Sequence, residues 1–60
     1  MLFKCCIDFH GKAYQMWLCD FDTKEDAEQW SRQYIKESLV KLSNGLYTEA
    51  DFGCWVEEDK

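Results

Sequence analysis

Sixty residues make one domain, and a chain this short buries only about 60% of the surface its unfolded form exposes, so its core is small. Apolar residues at 47% and aromatics at 17% exclude a disordered peptide. Seven Lys and Arg against 12 Asp and Glu give a net charge of −5, which opposes binding to phosphate backbones and anionic membranes and favours a basic protein surface.

Leu2 to Phe9 alternates Phe3, Cys5, Ile7 and Phe9 against Leu2, Lys4, Cys6 and Asp8, the period of a half-buried first strand. A strand there, rather than a signal peptide, implies a reducing cytosol in which the four cysteines stay free thiols. His10-Gly11 then separates this strand from a second β pattern over Ala13 to Phe21, and the two read as a hairpin. A two-residue His-Gly loop pairs Phe9 with Lys12 and gathers Phe3, Cys5, Ile7, Tyr14, Met16 and Leu18 on one apolar face. A type I turn on Asp8 to Gly11 with a bulge at the glycine aligns Phe3, Cys5 and Ile7 with Ala13, Gln15, Trp17 and Cys19 instead. The first register is preferred because its face has no polar member.

Asp20-Phe21-Asp22 leads into the one long periodic segment, Thr23 to Leu42. Thr23 supplies an N-cap oxygen, and Asp26 stands three residues on in place of the capping-box Glu. At about 100° per residue, Ala27, Trp30, Tyr34, Ile35, Leu39 and Leu42 share a face, with Ser31 and Ser38 in its small positions. Glu28 with Arg32 and Glu37 with Lys41 stand at helical i,i+4 spacing on the solvent side. Asn44-Gly45 ends the helix because both residues tolerate positive φ. Leu46 and Tyr47 fold back, Phe52 to Glu57 alternates as a third strand, and Glu57 to Lys60 reads as a frayed acidic tail. The sum is an α+β domain over residues 1–60. It has a three-stranded antiparallel sheet in β-β-α-β sequence, strand order 2-1-3, with one helix on one face.

No constellation here carries chemistry. Cys5 and Cys6 point to opposite faces of a strand, unlike the tight knuckles of structural zinc sites, and His10 reads as a turn residue without a cleft around it. Asp20, Asp22, Glu25 and Asp26 lack the spacing of a calcium loop. Neither enzymatic activity, a metal nor a cofactor is therefore expected. No apolar run is long enough to span a bilayer, so a soluble cytoplasmic protein is expected.

The second sheet face is more informative. In the preferred register it carries Leu2, Lys4, Cys6, Gln15, Trp17, Cys19, Gly53 and Trp55, with no second helix to cover it. Large exposed apolar patches mark interaction sites. An RNA platform of this kind would sit in basic surroundings, which the acidic balance denies.

The hairpin, the helix start Asp22-Thr23-Lys24-Glu25-Asp26-Ala27-Glu28-Gln29-Trp30, then Gln33-Tyr34 and a closing strand resemble small phage-encoded counter-defence inhibitors. These are the anti-CRISPR proteins and the Dmd-type antitoxins of T4-like phages. The resemblance implies a non-enzymatic protein that blocks a larger cytosolic bacterial enzyme or toxin by occupying its surface. It assigns no individual residue. The docking residues expected from the sequence itself are Lys4, Gln15, Trp17 and Trp55 on the open face, with Asp20, Asp22, Glu25 and Asp26 at the helix start. A weak homodimer through the same face or the unprotected strand edges is also expected. The alternative is that the acids imitate nucleic-acid phosphates toward a nuclease or DNA-binding subunit. A small zinc- or RNA-binding module ranks below both.

Overall fold

Alternation and β-rich composition place β1 at Leu2–Phe9 and β2 at Lys12–Asp20 in the computed structural model, which describes residues 1–59. The loop between them is His10-Gly11, with φ 51° and 81°. Two successive positive φ values define the type I′ turn, whose twist suits a two-residue hairpin. Phe9 therefore faces Lys12, as the loop length requires. The register then slips by one residue. Ile7 pairs with Gln15 while Asp8 pairs with Ala13, so Tyr14 is the extra residue of a β-bulge.

That single insertion reverses the expected faces of β2. Cys5 now faces Trp17 and Phe3 faces Cys19, which puts Gln15, Trp17 and Cys19 on the helix side. Met16 and Leu18 move outward and are 62% and 60% exposed. The preferred sequence register was therefore wrong beyond Tyr14. Its criterion was an unbroken apolar face, whereas the fold puts the largest ring against other rings. Trp17 meets Tyr34 at 4.8 Å and Trp30 at 5.5 Å between centroids, both edge to face. Gln15 comes to the inner side with it, and its buried Oε1 has no partner among the described residues.

The helix α1, Lys24–Tyr34, starts where the capping residues direct it. Thr23 Oγ1 accepts the Asp26 amide N–H at 3.1 Å. Ala27, Ser31 and Ile35 are buried toward the sheet, and Ser31 Oγ donates to the Ala27 carbonyl at 2.9 Å, so the buried hydroxyl is satisfied. Small residues at 27 and 31 let the helix approach β1 and β3, on which it lies.

Past Tyr34 the backbone widens into a π-helical stretch, Ile35–Val40, and the Lys41 N–H reaches back five residues to the Lys36 carbonyl. A wider turn rotates the chain by less than 100° per residue, so the apolar face drifts out of phase. Leu42 was expected on the buried face and is 78% exposed. A 3₁₀ turn, Lys41–Ser43, leads to the expected stop at Asn44 and Gly45, with φ 55° and 85°. Ser43 Oγ closes that end by donating to the Val40 carbonyl at 2.6 Å and accepting the Tyr47 N–H at 3.2 Å.

β3, Phe52–Glu58, pairs antiparallel with β1, giving the expected order β2-β1-β3. Glu57 and Glu58 belong to the strand, opposite Lys4 and Phe3, rather than to a frayed tail. Asp59 N–H also donates to the Leu2 carbonyl at 2.9 Å. The expected tail residue Lys60 lies outside the described residues. The core is Phe3, Cys5, Ile7, Ala27, Ile35 and Val56, with Ser31 among them. A Cα envelope of 36 × 20 × 14 Å has the thickness of one sheet and one helix, so the other sheet face is left to solvent.

Candidate functional site

The open face follows from the register. Reading across β2, β1 and β3, Leu18, Lys4 and Glu57 make one row, and Met16, Cys6 and Trp55 make the next. Ala13, Asp8 and Gly53 follow toward the hairpin, and Leu2 faces Asp20 at the opposite end. Four large apolar side chains, Leu2, Met16, Leu18 and Trp55, are 49 to 62% exposed here. Together they form a patch on the order of a few hundred Å², comparable to the largest apolar patch of a typical monomer, which is often functional.

Lys4 lies within this patch on the central strand, while Glu57, Asp8 and Asp20 sit at its border. Lys4 Nζ approaches Glu57 Oε1 at 3.6 Å, a surface pair worth under about 1 kcal/mol, whose chief effect is to fix both charges beside Leu18 and Trp55. Asp8 lies over Gly53, where a Cβ would meet its Oδ1 at 2.5 Å, so a side chain at position 53 would turn that carboxylate aside. Burial pushes the Cys6 thiol up, with Glu57 adding to the shift and Lys4 opposing it. A raised thiol pKa makes Cys6 a poor nucleophile and a small hydrophobe in the middle row.

Beyond the Leu2 end the fold gathers acids from separate segments. The Met1 ammonium donates to Asp20 Oδ1 at 2.9 Å, and its pKa is raised, first by that hydrogen bond and then by Asp20, Asp22 and Glu58 as neighbouring charges. Glu25 and Asp26 occupy the exposed first turn of α1. Among the described residues, no group of three or more His, Cys, Asp or Glu is placed to hold a metal ion.

The hairpin end carries an aromatic cluster. Phe9, Tyr14, Tyr47 and Phe52 line a pocket of about 80 Å³. His10 stacks on Phe9 at 4.1 Å, and its Nε2 lies 2.9 Å from Asp51 Oδ1. The Thr48 N–H bonded to the Asp51 carboxylate, and then His10, hold that carboxyl below its ordinary pKa.

Of the expected docking residues, Lys4 and Trp55 lie on the open face, and Asp20, Asp22, Glu25 and Asp26 are exposed at its acidic end. Gln15 and Trp17 do not join them, because the bulge turns both toward the helix. Met16 and Leu18 take their place, and Leu2 and Cys6 complete the surface. The hairpin-end cluster was not foreseen, since its rings come from four separated stretches of chain. No helix among the described residues is long and apolar enough to cross a membrane. Comparison of the chain with protein-family models, curated proteins and solved structures finds no match.

Proposed function

We propose that this protein is a non-enzymatic binding module, an inhibitor or adaptor that docks its open sheet face on a larger protein. The observation that carries the reading is the row Met16, Cys6 and Trp55 with Leu18 beside it. Met16, Trp55 and Leu18 are large apolar side chains, with the small Cys6 between the first two, on a sheet face that no element among the described residues covers; Lys4 lies within it, and Glu57, Asp8 and Asp20 border it. An apolar centre with a charged border is the usual anatomy of a protein interface. The acidic end suits a partner that presents basic residues next to an apolar site. The resemblance of the helix start to small phage counter-defence inhibitors agrees in kind, and a bacterial defence enzyme or toxin is the partner it suggests.

The test is a capture from bacterial lysate with the wild-type chain and with Met16→Asp, each checked for native circular dichroism. A protein recovered by the wild type and lost with Met16→Asp supports the reading. RNA in place of protein, or a partner indifferent to Met16→Asp, overturns it. Salt separates apolar docking from phosphate imitation. Exposed charges are screened over about 8 Å at physiological ionic strength, so an affinity resting on the acids falls steeply with added salt, while one resting on Met16 and Trp55 holds.

A further inference from the structure

We propose that the free edge of β2 pairs with the same edge of a second copy of this chain, antiparallel and centred on Trp17, to give a six-stranded sheet. β2 ends the sheet, since the strand order is β2-β1-β3. Which of its backbone groups face outward follows from its pairing with β1. The Met1 ammonium donates to the Phe21 carbonyl at 3.2 Å and the Phe21 N–H to the Met1 carbonyl at 3.0 Å, so Met1 and Phe21 form a hydrogen-bonded pair. Hydrogen-bonded and non-hydrogen-bonded pairs alternate along an antiparallel ladder, and the register between β1 and β2 is unbroken from Leu2 to Ile7. Cys19, Trp17 and Gln15 therefore bond to β1, and the N–H and C=O groups of Met16, Leu18 and Asp20 point to the free edge. Natural edges are blunted by charge, proline or a covering element. From Ala13 to Cys19 this strand has neither a charged residue nor proline, and α1 lies on β1 and β3 instead.

The edge is complementary to itself. Lys12 and Asp20 are the charged residues of β2 and stand at its opposite ends, with Asp22 just beyond. Antiparallel pairing brings each Lys12 to the acidic end of the other copy, and the two-fold axis repeats the match. β3 offers no such match, because its charges are the acids Glu57 and Glu58 at one end. An axis perpendicular to the sheet keeps like faces together, so it passes through a residue. Through Trp17 it sets Met16 opposite the second copy's Leu18, with outward backbone groups paired and two exposed apolar side chains covering each other. Through Leu18 it would set Asp20 against Met16, and through Met16 it would put the bulge residue Tyr14 inside the new ladder. On the helix side, Trp17 meets its counterpart and extends the aromatic group it forms with Trp30 and Tyr34. Gln15, whose buried Oε1 has no partner among the described residues, comes opposite the second copy's Cys19. The six residues from Gln15 to Asp20 span about 20 Å. With a thickness of 14 Å that footprint falls well below the roughly 800 Å² per partner of a stable interface, and each copy carries a charge of −5, so the dimer is weak and concentration decides it. Edge pairing leaves Trp55 uncovered and stands whether or not the open face docks another protein.

Sedimentation equilibrium between about 10 µM and about 1 mM reads the association, with circular dichroism checking the fold of every variant. The wild type should pass reversibly from monomer to dimer. Leu18→Lys places a charge on the edge and should weaken dimerisation at least about ten-fold, whereas Trp55→Lys, on the open face but away from β2, should leave it within about two-fold. A disulfide reads the register. With diamide as oxidant, Gln15→Cys should give a reducible covalent dimer through the second copy's Cys19, since non-hydrogen-bonded positions bring side chains close. Adding Cys19→Ser should abolish that dimer, and the wild type should not form it. A wild type that stays monomeric throughout, dimerisation lost with Trp55→Lys but kept with Leu18→Lys, no covalent dimer from Gln15→Cys, or one that survives Cys19→Ser would each overturn the proposal.

Discussion

Trp17 on β2 and Trp55 on β3 occupy opposite faces of the sheet, so truncating each in turn tests the register. Trp17 is half-buried between Trp30 and Tyr34. Truncating a fully buried Trp to Ala costs about 3–5 kcal/mol. Half of that, with about 0.5–1.5 kcal/mol for each of two edge-to-face ring pairs, puts Trp17→Ala at about 2.5–5.5 kcal/mol. Trp55 is 56% exposed and has Cys6 as its cross-strand neighbour, so Trp55→Ala should stay within about 1 kcal/mol. A 60-residue domain holds only about 3–9 kcal/mol in total, which makes the first loss a large share and the second a small one. Urea unfolding followed by far-UV circular dichroism reads both, and Trp17→Leu retains a transition should the alanine variant fail to fold. Thermal midpoints should separate by at least about 5 °C. Equal losses at the two positions, or a larger loss at Trp55, would mean that the sheet faces are assigned the wrong way round.

The remaining predictions concern the cap, the acid limb and the thiols. Thr23→Ala removes the acceptor of the Asp26 N–H and should cost about 1 kcal/mol, lowering the thermal midpoint by roughly 4–8 °C. Because the Asp51 carboxyl is held below its ordinary value, its contribution is present above the unfolded carboxylate pKa of about 4 and is lost as pH falls through the folded value. The stability difference between wild type and Asp51→Asn should therefore shrink on acidification, and a constant gap across that range would contradict the Thr48 and His10 bonds. Burial pushes the Cys5 thiol up, so its contribution is complete below the unfolded thiol pKa of about 8.5 and declines as pH rises beyond it. Cys5, fully buried, should label with a thiol reagent only through unfolding, whereas native labelling within minutes would show that α1 does not cover it.

Element order was legible because each element carries its own local signal. Thr23 caps, Asn44-Gly45 stops, His10-Gly11 turns, and the strand alternation shows which residues of one strand share a face. Registration between strands has no such signal. A bulge at Tyr14 exchanges the faces of every later residue in β2 while leaving the alternation intact, and the competing criterion, the polar Gln15, pointed the wrong way. The clue lay in the helix, since Trp30 and Tyr34 on one flank need a large partner and Trp17 is the largest that β2 offers. The π-helical drift that exposes Leu42 is likewise invisible to a fixed 100° period, although the five-residue spacing of Ile35 and Val40 is compatible with it. On the open face, Lys4 and Trp55 were readable from alternation alone, and Met16 and Leu18 required the register. The aromatic pocket depends on contacts between residues up to 43 positions apart, as with Phe9 and Phe52, and no local pattern encodes them.

The claim that the open sheet face binds a protein is tested most directly by photocrosslinking from single positions within bacterial cells that express the chain. A benzophenone side chain replaces Trp55 or Met16 on the open face, or Gln33 on the exposed side of α1. The account predicts a discrete protein adduct from positions 55 and 16 that is absent from position 33. An adduct from position 33 alone, or from all three alike, would contradict it.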